Sequence, residues 1–183
     1  MSQEQLSQEE MIENMEEDLE NDKSNTYYFY AQQGCTEAMF RLGMRNDIFV
    51  RDPTIKPLDW LQRAAEHGHA EAWCALGWRY STHTCYGGLK NDEKAIMCYE
   101  KAADMGIAAA YYELAVYYNE GRQVELDEKK AFEYFLKAAE LGSPDALISL
   151  STIYKNGNSV VEKDFEKAFD YAQKAYTKLR KEL

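Results

Sequence analysis

Small and large apolar residues recur along the chain in one fixed helical pattern. Ala72, Leu76, Gly77 and Tyr80 stand at offsets of 0, 4, 5 and 8. The same offsets select Ala110, Leu114, Ala115 and Tyr118, then Ala146, Leu150, Ser151 and Tyr154. Residues so spaced share one face of an α-helix. The small residue after each leucine predicts close approach of a neighbouring helix. A second helix follows each of these. Asn91, Asp127 and Asp164 suit its N-cap, where a side-chain oxygen accepts from the first free amides. A Lys-Ala pair then opens it: Lys94-Ala95, Lys130-Ala131 and Lys167-Ala168. Pro57 starts the equivalent helix of the first unit, at a position where its missing N–H costs nothing. These second helices are expected to bury Trp60 and Leu61, Met97 and Tyr99, Tyr134 and Phe135, and Phe169 and Tyr171.

The pattern is an internal repeat. Segments beginning at Ala31, Ala64, Ala102 and Ala138 align, with shared glycines at Gly34, Gly68, Gly106 and Gly142. Each glycine suits the left-handed position just past a helix, where a Cβ would clash. Their spacings are 34, 38 and 36 residues; connections absorb the variation at small entropic cost. One helix pair cannot bury its own apolar face, so pairs must stack. The expected fold is all-α, an α-solenoid of stacked antiparallel helix pairs with roughly ten helices.

The residues A-x-x-x-L-G-x-x-Y on one helix and KAAE-x-G on the next resemble the Sel-one-like repeat (SLR) family. Lys137 to Gly142 and Lys101 to Gly106 carry the resemblance most closely, and it extends over about residues 27–178. It implies a tetratricopeptide-like superhelix whose first helices line a concave face, and a role in binding other proteins. It does not specify the partner, because fold does not imply function. Asn46 departs from the pattern where the tyrosine is expected. Phe49 and His83 depart from it at the glycine that Gly121 and Gly157 keep. The last helix lacks the closing glycine and ends in Lys178, Arg180 and Lys181, charges that complement a helix C-terminus. A polar outer face is expected there, as on a terminal cap.

Residues 1–22 read as an acidic N-terminal segment and residues 23–183 as the repeat domain, with about four repeats plus terminal helices. Ser7 and Glu10 form a capping-box signature. A helix over residues 7–20 would set Ile12, Met15 and Leu19 on one face. It would pack on a helix beginning near Lys23 and carrying Tyr27, Tyr28, Phe29 and Tyr30, either as a cap or as an occupant of the concave face; a frayed acidic tail is the competing account.

A second stripe runs beside the core stripe on the first helices. It takes in Glu37, Phe40 and Met44, then Glu71, Cys74 and Trp78, then Tyr112 and Val116, then Ile148. Its centre is apolar or aromatic and its edge in the first two units is acidic. That is the anatomy of a protein-binding surface, with Trp and Tyr as energetic anchors. Phe40, Met44, Glu37, Glu71, Trp78, Tyr112, Val116 and Ile148 are therefore the candidate partner-binding residues. Tight curvature that buries the stripe between first helices is the competing account.

Charge narrows the partner. The formal net charge of the 183 residues is −11, and residues 1–24 hold nine acidic groups against Lys23. This argues against nucleic acid and anionic membranes, and permits a protein with a basic surface. No apolar run approaches the roughly 20 residues of a membrane span, and Met1 to Glu10 has no signal-peptide core. The expected compartment is the cytoplasm, with Cys35, Cys74, Cys85 and Cys98 as free thiols.

Chemistry finds little purchase. His67, His69, Cys74, His83 and Cys85 are zinc-type ligands within 19 residues, but their spacing matches no established finger. Turn histidines and small buried cysteines explain them, so no metal or cofactor is expected. Gly87-Gly88 is no phosphate loop, and no nucleophile and base share a suggestive spacing. The expectation is a non-enzymatic module that binds a protein or peptide in its concave groove. Two alternatives stand beside it: a bacterial immunity protein that neutralises a basic toxin, and a self-associating scaffold.

Overall fold

The computed structural model describes residues 6–20, 26–44, 56–82 and 90–181, apart from the side chains of Leu19, Glu20 and Lys181. Asn46, Phe49, His83, Cys85, Gly87 and Gly88 lie outside the described residues. Ten α-helices and no strands occur among those described: α1 (Gln8–Glu20), α2 (Thr26–Gln32), α3 (Thr36–Met44), α4 (Pro57–Glu66), α5 (Ala70–Ser81), α6 (Asp92–Asp104), α7 (Ala108–Glu120), α8 (Glu128–Glu140), α9 (Pro144–Asn156) and α10 (Phe165–Lys181). The chain forms two compact units, Met1–Leu76 and Gly77–Leu183.

In the first unit, α1 starts as its sequence predicts. Ser7 Oγ accepts from the Glu10 amide, and Glu10 returns a carboxylate to the Ser7 amide. Both contacts satisfy amides that a helix start leaves unpaired. The helix lies on α2 and α3. Gln8 ties it to the turn between them, donating to the Gly34 carbonyl and accepting from the Thr36 amide. The tyrosine hydroxyl of Tyr30 donates to Asp18 at 3.0 Å. The buried face differs by one residue from the expected one. Met11 and Met15 are buried, while Ile12 is half-buried. A Met11–Met15 step follows the helical period as well as Ile12–Met15 does, and flexible methionine side chains fill irregular core space. Trp60, Leu61, Ala64 and Ala65 of α4 are buried in the same unit.

In the second unit the repeat logic is visible residue by residue. Asn91, Asp127 and Asp164 each accept from the amide three residues on, at Lys94, Lys130 and Lys167. Gly106 and Gly142 close their helices at φ 86° and 90°. Ala110, Leu114, Ala115, Ala146 and Leu150 are buried as expected. The lysine of each Lys-Ala pair stands over the tyrosine of the preceding first helix. Lys94 lies 5.5 Å from the Tyr80 ring, Lys130 4.0 Å from Tyr118 and Lys167 5.2 Å from Tyr154. The two motif positions are thus one cation–π contact repeated three times.

Met97 and Phe169, expected in the core, are exposed. Cys98 and Ala168 are buried instead. The buried register on α6 passes through Ala95, Cys98, Tyr99 and Ala102, and Met97 sits two residues from Ala95, on the opposite side of the helix. Phe169 is likewise one step off the stripe of Ala168, Tyr171 and Ala175. The outer face of α10 is also not the polar cap expected. It carries Phe165, Phe169, Tyr176 and Leu179, all exposed.

Gly77 shows why the position after the leucine is small. A Cβ built there would stand 2.6 Å from the ring of Tyr99, which is itself fully buried. Helix propensity alone favours Gly77→Ala by about 1 kcal/mol. Overpacking against an immobile ring costs about 1–3 kcal/mol. A net loss of about 1 kcal/mol is expected, read as a lower urea midpoint. A gain in stability would show that the α5–α6 contact is loose.

Candidate functional site

The candidate stripe is built differently in the two units. In the first, Glu37 and Phe40 of α3 are committed to structure. The Phe40 ring stacks on His69, with centroids 4.5 Å apart and planes 21° apart. His69 Nε2 lies 2.9 Å from Glu37 Oε2, and Arg41 donates to the other Glu37 oxygen. Burial would raise the Glu37 pKa, but the hydrogen bonds from His69 and Arg41 outweigh it and hold the carboxyl below its ordinary value. Glu37 therefore bridges α3 to the start of α5 as well as edging the stripe. Glu71 is exposed, with a carboxylate oxygen 3.4 Å from His69 Nδ1. Met44 is exposed at the end of α3.

In the second unit the stripe is half core and half surface. Tyr112 and Val116 of α7 pack on the cluster formed by Ala115, Ala131, Phe135, Ala138, Ala146 and Leu150. The Tyr112 ring lies 5.9 Å from Phe135. Burial, helped by Asp145, pushes the Tyr112 hydroxyl above its ordinary pKa. Trp78 is 52% exposed and Ile148 47% exposed. The Arg79 guanidinium stands 5.7 Å from the Trp78 ring centroid. Packing on this cluster of α7, α8 and α9 thus accounts for Tyr112 and Val116, and leaves Trp78 and Ile148 facing solvent.

Two polar features were not legible in the sequence. Glu113, beside Tyr112, has its carboxyl pushed up by burial, opposed by Arg122 and reinforced by Asp145 and Glu120. The other is a knot between α6 and α7. Asp92 Oδ1 accepts from the Tyr117 hydroxyl and from Arg122, both at 2.7 Å, and Lys90 stands 3.0 Å from its second oxygen. Arg122 also covers the Tyr117 ring at 4.5 Å. The sequence spaces these groups 25 and 30 residues apart, and only the repeat register brings them together.

Of the zinc-type residues, His83 and Cys85 lie outside the described residues. His67 Nδ1 contacts the Arg63 carbonyl at 2.8 Å and His69 serves Glu37. Cys35 and Cys98 are buried thiols. Burial raises the Cys98 pKa to about 11, against smaller opposing effects of Lys101 and Lys94. Among the described residues no group of three or more His, Cys, Asp or Glu is placed to hold a metal ion. No helix among the described residues is long and apolar enough to cross a membrane.

These helix pairs, three of them with a tyrosine–lysine contact, define a solenoid repeat protein. A family model for the Sel1 repeat matches residues 36–69, 70–107, 108–143 and 144–178, which are α3–α4, α5–α6, α7–α8 and α9–α10. The chain belongs to the Sel1-repeat family. Among solved structures it is similar to a Sel1-repeat protein from Oxalobacter formigenes, with 27% identity and a TM-score of 0.73, covering 83% of this chain and 62% of that one. It shares its fold with an immunity protein from Pseudomonas aeruginosa, with 23% identity, a TM-score of 0.64, and coverage of 94% of this chain and 68% of that one. A stretch of 87 residues is 34% identical to chitin synthase regulatory factor 3 of Schizosaccharomyces pombe, 48% of this chain but only 9% of that protein. The chain thus spans less than two thirds of the Oxalobacter protein and a small part of the yeast one. Sel1-repeat proteins are in general protein-interaction modules.

Proposed function

We propose that the chain is a non-catalytic interaction module that holds a protein or peptide on the first-helix stripe of residues 77–183. The exposure of Trp78 and Ile148, in the same register as half-buried Tyr112 and Val116, carries this reading. Trp78 holds the position of Val116 in its repeat and Ile148 that of Tyr112, yet both face solvent, where a large apolar side chain marks an interaction surface and Trp is a frequent anchor. Tyr112 and Val116 then form the rigid floor between the anchors. Glu113 and Asp145 favour a basic partner, whose positive charge would relieve the crowding of carboxylates at Glu113. Such charges speed and select encounter more than they tighten the complex.

The test uses a double variant, Trp78→Ala with Ile148→Ala, as bait beside the wild-type chain in a native lysate. Both side chains are half exposed, so the variant should melt as the wild type does. A stoichiometric partner captured by the wild type should bind the variant about a hundredfold more weakly. Capture of the same partner at full strength by a folded variant would sink the assignment of the stripe. The inhibitor reading is favoured by one feature of this chain, its acidic balance of −11. The likeness to the Pseudomonas immunity protein is one of fold. A basic secreted toxin among the captured proteins, with its activity blocked on binding, would select that reading.

A further inference from the structure

The outer face of α10 is an apolar seam with no described helix against it. Phe165, Phe169, Ala172, Tyr176 and Leu179 follow one another at intervals of four, three, four and three residues. Phe165 is 69% exposed, Phe169 68%, Tyr176 67% and Leu179 44%. This alternation keeps one stripe facing one partner along a helix. The opposite edge of the helix's apolar arc, Ala168 and Ala175, is already buried. On α8 the corresponding face receives the next helix of the array. There Phe135 is buried, and Phe132 packs edge-on to Tyr154 of α9 with centroids 6.0 Å apart. The seam on α10 is therefore a helix-docking face of the kind the repeat uses internally.

We propose that the occupant is α10 of a second copy of this chain, packed antiparallel about a two-fold axis at Ala172. Charge at the solvent rim of the seam argues for a second copy. Going down that rim, the side chains are Glu166, Gln173 and Arg180, all exposed. The order is acidic, neutral, basic, so the rim is complementary to itself only when reversed. An antiparallel copy sets Glu166 beside Arg180 at both ends. The same operation sets Phe169 against Tyr176 and Phe165 against Leu179. The small Ala172 lies at the crossing, where it permits helix axes about 8–10 Å apart. Each copy presents the same patch, as a closed two-fold dimer requires. The three aromatics with Ala172 and Leu179 would bury about 600 Å² per copy, near the lower edge of stable interfaces, so micromolar association is expected.

Sedimentation equilibrium of the 183-residue chain across the micromolar range tests this. The mass should rise with concentration from 21.2 kDa toward twice that value. Phe169→Glu with Tyr176→Glu should raise the dissociation constant by about a hundredfold or more, since both rings are exposed in the monomer and are central in the dimer. Glu166→Arg should weaken association severalfold by facing Arg180, and adding Arg180→Glu should restore it. A chain that stays monomeric, or a dimer indifferent to the two glutamates, overturns the proposal. Failure of the second swap to restore association overturns the antiparallel pairing.

Discussion

Trp60→Ala is expected to cost about 4 kcal/mol, most of the stability that a unit of this size holds in reserve. Trp60 is fully buried on α4 beside Leu61, Ala64 and Ala65. Its ring meets Tyr28 of α2 edge-on, with centroids 6.0 Å apart and planes at 82°. The Arg63 guanidinium covers it at 5.1 Å. One side chain therefore joins two helices of the first unit, and alanine would leave a cavity that neither helix can close. The indole Nε1 has no hydrogen-bond partner among the described residues. A buried donor without an acceptor costs about 1–3 kcal/mol in its own right. Trp60→Phe removes that donor and keeps most of the packing, so its loss should stay under about 2 kcal/mol. Urea unfolding of both variants measures the difference. Equal losses for alanine and phenylalanine would mean that the ring edge, not its volume, holds α2 and α4 together.

The fold was legible because the repeat states it four times. A single leucine flanked by a small residue is weak evidence of packing; the same pair at Leu76-Gly77, Leu114-Ala115 and Leu150-Ser151 is a register. The structure adds a reason for two of these small residues. Gly77 receives the Tyr99 ring, and Ser151 donates to the Ala168 carbonyl at 2.8 Å. The caps were legible too, since Asn91, Asp127 and Asp164 act through their immediate neighbours. What the sequence hid depends on contacts between helices. The Lys-Ala lysine and the stripe tyrosine were both visible as motif positions, yet nothing local says that one covers the other. Met97 and Phe169 were misplaced because an apolar residue beside the buried register looks the same in sequence as one within it.

The candidate site was half legible for the same reason. Offsets from the core leucine picked out the whole second stripe at once. They could not tell Tyr112, which leans on Phe135, from Trp78, which faces water. The difference arises from the helices on either side. Glu37 illustrates the other limit. It reads as an edge charge, but His69 arrives 32 residues later and takes it as a partner. A binding surface on a repeat protein is what remains after stacking, so stacking has to be known first.

Asp92→Ala is the second large loss expected, about 3 kcal/mol near neutral pH. Its carboxylate opens α6 and accepts from Tyr117 and Arg122, and Tyr117 is itself almost wholly buried. Alanine would strand a buried hydroxyl and part of a guanidinium without their acceptor. Burial pushes the Asp92 pKa up, but the hydrogen bonds from Arg122, Tyr117 and Lys90 pull harder, and the net value lies far below the ordinary carboxylate range. The sign of the pH dependence follows. A group whose folded pKa is depressed stabilises fully above its unfolded pKa, and that stabilisation fades as pH falls toward the folded value. Asp92→Asn should therefore lose most against the wild type near pH 7, and the gap should narrow steadily below about pH 4. Urea midpoints of the two proteins at neutral and acid pH read this directly. A gap that stays constant into acid would mean that packing, not charge, fixes the joint. Because α7 carries Tyr112 and Val116, a loosened α6–α7 joint should also weaken partner binding, though Asp92 touches no part of the stripe's exposed edge. The double variant Asp92→Ala with Trp78→Ala then separates the two effects: independent contributions add, whereas a binding surface that depends on this joint loses less in the double than the sum of the singles.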